Sequence, residues 1–130
     1  MEQKALNAGL LWLRVLIGVG MAHHGYGKVF GGHIPQFAEG VAAMRFPMPL
    51  VFAWAAALSE FAGGIFLALG LFTRVAAFFV FFTMGVAAFI HHSKDALQVK
   101  ELALLYWAAS GALILTGGGA WAAERLLKKK

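Results

Sequence analysis

Two ionisable residues stand inside long apolar runs of this sequence, Arg14 within residues 6–25 and Glu60 within residues 50–70. A charge at that depth in hydrocarbon costs about 2.5 to 3.5 kcal/mol on insertion scales, so it persists where it is paired, hydrogen-bonded or used. Small residues recur at helical spacing around both: Gly18 and Ala22 follow Arg14, while Ala56 and Gly64 flank Glu60. Such residues let two helices approach closely. With the helices antiparallel, both charges should turn inward near the bilayer midplane and pair. A buried pair of this kind fixes helix register. A carboxyl at the same depth is equally suited to exchange a proton or bind a ligand.

A second set of residues gathers toward the opposite helix ends: His23, His24 and Lys28, then His91 and His92, then Glu101. By helical phase His24 and Lys28 share the Arg14 face and His23 points away; His92 continues the face of Gly85 and Ala88, and Glu101 that of Ala108 and Ala112. Together they would line a polar pocket, although any one interfacial histidine also suits a position facing water or headgroups. Imidazoles on two helices could hold haem iron or another metal. Adjacent His91 and His92, however, diverge by about 100° on a helix, and no i, i+4 ligand spacing occurs. Haem or metal therefore ranks behind a quinone-like or other small aromatic molecule held by hydrogen bonds from His and Lys, and no metal ligands are assigned. The chain has no cysteine, which excludes disulfide and thiol chemistry of its own.

The elements that must position these groups are membrane helices. Of 130 residues, 61% are hydrophobic and 13% charged, too little polar surface for a water-soluble globule of this size. The apolar residues fall in four blocks, 6–25, 50–70, 75–90 and 102–117, and about 20 residues of helix cross roughly 30 Å of hydrocarbon. The blocks are continuous instead of alternating, which favours helices over a barrel. The expected fold is an all-α membrane protein, a single domain over residues 1–130 forming an antiparallel bundle of four transmembrane helices. Ile34, Phe37, Ala38, Val41 and Ala42 recur at helical spacing behind a first-turn Pro35, giving a short interfacial helix between spans one and two. Pro47 and Pro49 end it. The brief turn Leu71-Phe72-Thr73-Arg74 makes spans two and three antiparallel neighbours.

The net charge of +5 comes from basic residues at span ends and in the tail, which suits membrane anchoring and not nucleic acid. Lys4, Arg74, Arg125 and the tail lysines Lys128, Lys129 and Lys130 fall on one side; Lys28, Arg45, Lys94 and Lys100 fall on the other. That bias puts both termini in the cytoplasm. The leader Met1-Glu2-Gln3-Lys4 has no positive excess and no cleavage site precedes His23, so the first block is read as a retained span, not a secretory signal. Trp54 and Trp121 read as interface anchors. Gly117-Gly118-Gly119 has no phosphate-loop lysine after it and reads as a helix terminator.

Over nearly its whole length the chain resembles the DoxX family of small four-helix membrane proteins. The resemblance rests on His24-Gly25-Tyr26-Gly27-Lys28-Val29-Phe30-Gly31, on Glu60-Phe61-Ala62-Gly63-Gly64 leading to Leu69-Gly70-Leu71-Phe72-Thr73-Arg74, and on Glu101-Leu102-Ala103-Leu104-Leu105-Tyr106. The chain departs from the family at Gly119-Ala120-Trp121, where an arginine usually follows the last glycines. The resemblance implies an inner-membrane protein that serves as an accessory or catalytic part of a membrane oxidoreductase system, quinone-linked or tied to oxidative stress. On that reading Arg14, His24, Lys28, Glu60, His92 and Glu101 bound an inter-helix pocket for a quinone-like molecule. Glu60 would take or give the proton, and His24 with Lys28 would hold a ligand oxygen. Two alternatives stand beside it: a non-catalytic scaffold that recruits an oxidoreductase partner through the outer loop or basic tail, and a small proton-coupled transporter, which would need oligomers or a gated path.

Overall fold

The computed structural model describes residues 2–92 and 94–128; Met1, Ser93, Lys129 and Lys130 lie outside it, so part of the basic tail and of the 91–95 polar stretch does too. Every element among the described residues is helical. They are α1 (Glu2–Phe30), α2 (Ile34–Ala43), α3 (Pro49–Leu69), α4 (Thr73–Val86), a π-helical turn (Ala87–His91) that prolongs α4, α5 (Leu97–Thr116) and the short α6 (Ala123–Lys128). Among the described residues, three helices are long and apolar enough to cross a membrane: α1, α3, and α4 with its π turn. The fourth apolar block lies in α5, whose first five residues include the polar Gln98, Lys100 and Glu101.

Close packing of α1 on α3 is set by glycine. A Cβ on Gly18 would strike the backbone of Gly64 and Ala68, one on Gly64 the backbone of Gly18 and Ala22, and one on Gly25 the backbone of Phe61. The pairing runs antiparallel, and only residues without side chains allow it to be so tight. Helix α3 ends at Gly70, whose positive φ of 78° closes the turn. The amides of Gly70 and Leu71 return to the carbonyls of Leu67 and Phe66 at 3.2 and 2.9 Å, the paired bonds of a Schellman motif. That reversal sends α4 back against α3.

Helices α4 and α5 interlock through small residues beneath rings, Gly85 under Trp107 and Gly111 under Phe81, with Phe81 and Trp107 stacked at 5.1 Å. Met21, Leu67, Ala77, Val80, Met84 and Leu113 form the core. A second, smaller core joins Ile34, Ala38 and Val41 of α2 to Ala53 and Ala57 of α3. Helix α1 ends level with the middle of α3, and α2 fills the place beside the first half of α3. The outer surface is strongly apolar: Trp12, Leu16, Val19, Phe78, Phe82, Leu105 and Leu115 all stand exposed. A surface of this kind suits lipid and would be an aggregation liability in water.

Candidate functional site

Glu60 is 2% exposed, and its carboxylate accepts a 2.6 Å charge-assisted hydrogen bond from Lys28 Nζ. The same ammonium lies 4.4 Å from the centroid of the Phe37 ring, so α1, α2 and α3 meet around one cation. The expected Arg14–Glu60 pair does not form. Arg14 is fully buried, and its Nη1 donates to the carbonyls of Ala68 at 2.7 Å and Leu67 at 3.0 Å. The eight residues from Glu60 to Ala68 put about 12 Å of helix rise between the two charges. The physical reason is the C-terminus of α3. Of the two carbonyls that Arg14 meets, Leu67 O has, among the described residues, only the 3.2 Å bond from the Gly70 amide besides Arg14, and both lie at the negative end of the helix dipole, so a guanidinium is well placed there.

Around the Arg14 end, Glu124 Oε2 accepts from the Thr73 amide at 3.3 Å, and the Glu124 amide donates to Gly70 O at 3.0 Å. These bonds tie α6 to the α3–α4 turn. Arg14 Nε and Thr73 Oγ1 are buried there without a hydrogen-bond partner among the described residues. A shallow cavity of about 350 Å³ opens beside them, lined by Thr73, Arg74, Gly117, Glu124 and Arg125 among others.

The larger cavity, about 450 Å³, lies at the Lys28 end. Its walls are Phe37 and Val41 from α2 with Met44 just after it, Phe52, Ala56 and Ser59 from α3, and Phe79, Phe82 and Thr83 from α4, with Lys28, His91 and His92 supplying charge and hydrogen bonds. The π turn brings both histidines to this wall. The His92 amide bonds to Ala87 O, five residues back, at 2.9 Å, so one extra residue is accommodated and the helix face rotates. The two imidazoles sit edge to face with centroids 4.5 Å apart, and His92 Nδ1 lies 2.8 Å from Asp95 Oδ2.

The six residues singled out in the sequence therefore divide. Lys28, Glu60 and His92 belong to one region. Arg14 caps α3 at the far end. His24 is exposed, with its ring 5.9 Å from Tyr106 on the seam between α1 and α5, and Glu101 is exposed on the first turns of α5. The cavity adds His91, Phe37, Ser59 and Thr83, and Asp95 stands behind His92. Phe37 was visible as part of the α2 pattern; its place under a cation was not. Among the described residues, no three His, Asp or Glu side chains come together as a metal ligand set.

The DoxX family model matches residues 9–93. "Inner membrane protein YqjF" of Escherichia coli K12 is 33% identical over 98% of both chains. A second protein of that organism, "Inner membrane protein YphA", is 30% identical over 89% of this chain and 88% of its own length. An uncharacterised protein of Haemophilus influenzae Rd is 35% identical over 93% of this chain and 92% of its own. No solved structure matches the chain.

Proposed function

From the premise that the chain belongs to the DoxX family of integral membrane proteins, we propose that it is an inner-membrane, redox-associated protein whose Lys28–His92 cavity binds a small apolar molecule with a polar head, of the quinone class. The observation that carries this reading is the cavity itself. At about 450 Å³ it falls within the range of small-molecule sites, and its lining is mostly aromatic and aliphatic with a few convergent polar groups. Phe52, Phe79 and Phe82 continue from the cavity wall to the exposed surface, which offers an apolar molecule a way in from lipid. Lys28 is held in place by Glu60 and still has hydrogens to donate to a ligand oxygen, while the pair as a whole is neutral and tolerates an uncharged ligand.

In this reading α5 is the fourth crossing, both termini face the cytoplasm and α2 lies toward the outer surface. His24 stands apart from the cavity, so its assigned role in holding the ligand passes to Lys28 and the His91–His92 edge. The test is a visible spectrum of the protein purified in mild detergent, with and without dithionite, followed by organic extraction and mass spectrometry. An extracted quinone or related molecule is the expected result. A well-folded protein that carries nothing and binds no added quinone would transfer the assignment to a scaffold that recruits an oxidoreductase partner.

A further inference from the structure

The π turn positions His92 against a carboxylate, and that contact fixes which hydrogen bonds the cavity can offer. An ionised carboxylate can only accept, so Asp95 Oδ2 at 2.8 Å from His92 Nδ1 holds the proton of a neutral imidazole on Nδ1. Nε2 is left as an acceptor. Of the other polar groups of the cavity, the Lys28 ammonium is a donor bonded to Glu60, and the Ser59 hydroxyl donates to Ala55 O at 2.7 Å; the hydroxyl oxygens of Ser59 and Thr83 can also accept, but more weakly than an imidazole nitrogen. His91 packs edge to face on His92 and lies against Gly40 of α2. The charged and titratable groups that share the cavity wall or contact His92 are Lys28 from α1, itself paired with Glu60 of α3, and His91 and Asp95 beside it.

Building on the cavity reading above, we infer that His92, oriented by Asp95, selects ligands whose head carries a hydroxyl donor, of the phenol or hydroquinone class, over otherwise identical ligands in which that hydroxyl is capped as an ether. A hydroxyl completes the free nitrogen of His92, whereas an ether oxygen faces a lone pair and leaves both unsatisfied. No electron transfer is involved in this discrimination. Asp95 is a positioning residue in it, because it sets the tautomer without entering the cavity.

The test compares 4-hexylphenol with its methyl ether, 4-hexylanisole, a redox-inert pair that differs in the donor. Equilibrium binding to the full chain in detergent, at a pH near 8, should favour the phenol about tenfold, the size of one hydrogen bond. In His92→Phe the anisole should bind as in wild type while the ratio falls to about one. Asp95→Asn should lower the ratio to about threefold, since the amide no longer enforces one tautomer. Because the readout is a ratio within one protein, losses of folded material cancel. Equal binding of phenol and anisole in wild type, or an unchanged ratio in His92→Phe, overturns the inference and leaves the cavity reading standing. Binding that is absent, or that survives filling of the cavity by Ala56→Trp, overturns both.

Discussion

Glu60 could be met by either of two cations that share a face of α1, and the choice falls to Lys28 because the glycine contacts set the register. Removing Lys28 strands a carboxylate that is 2% exposed. Lys28→Met should cost on the order of 2 to 3 kcal/mol, below the roughly 3 to 5 kcal/mol of a fully enclosed pair because part of Lys28 remains exposed. The double variant Lys28→Met with Glu60→Gln should regain most of that loss, measured as a double-mutant cycle of thermal unfolding in detergent. If Glu60 were instead indifferent to its cation, Lys28→Met alone would melt like wild type. Arg14 is a separate case: Arg14→Leu removes the guanidinium donor from the Ala68 carbonyl and leaves Leu67 O only its Gly70 amide, and should lower stability by about 2 to 3 kcal/mol, with no effect on occupation of the cavity. Equal stability of Arg14→Leu and wild type would remove the capping role. That both charges face inward could be read from the sequence. Their partners could not, since a pattern of small residues gives the face of a helix and not its offset against a neighbour.

Elements with glycine at their crossings should discriminate sharply between sites. Gly64→Val places a side chain into the α1 backbone and should abolish the folded monomer. Gly27, with open space where a Cβ would stand, should accept alanine with a change of at most about 1 kcal/mol in the stabilising direction. Size-exclusion profiles and thermal midpoints of the two variants check this, and tolerance of Gly64→Val would mean that α1 and α3 do not cross there. The π turn gives the second prediction at this scale. Inserting one alanine after Ala87 adds a residue beyond the one the π turn already absorbs; it should turn His91 and His92 by about 100° away from their present wall and weaken ligand binding while preserving the melting temperature. Unchanged binding would show that the histidines do not bear on the cavity. Helices and their small-residue faces were legible in the apolar blocks and glycine spacing. The π turn was not, because phase reading assumes 100° per residue throughout; His92 alone was expected to face inward, and the extra residue carries His91 to the cavity as well.

At the scale of the molecule, the exposed apolar ring and the family membership describe a membrane protein, and the charge bias is the ground for the proposed path of the chain through the bilayer. With no native cysteine, single cysteines report topology directly. In intact spheroplasts, cysteine at Gly32 or Lys94 should react with an impermeant maleimide, and cysteine at Lys4 or Arg125 should react only after permeabilisation. The reverse pattern for Arg125 would mean that α5 does not cross. Four apolar blocks and one interfacial pattern were enough to expect the helices; Gln98, Lys100 and Glu101 make the start of α5 more polar than those of α3 and α4. The cavity itself was foreseen only as a convergence of titratable residues. Its walls are mostly Phe, Ala and Met, residue types that core and lipid-facing positions also use, so sequence alone does not single them out.

The most direct test of the central claim is equilibrium binding of a short-chain quinone to purified wild-type protein and to Ala56→Trp, whose indole would occupy the cavity. Saturable binding in wild type that weakens at least tenfold in a variant with an unchanged melting temperature is the result expected of a ligand site bounded by Lys28 and His92. Identical isotherms for the two proteins would contradict it and show that the quinone partitions into detergent and surface alone.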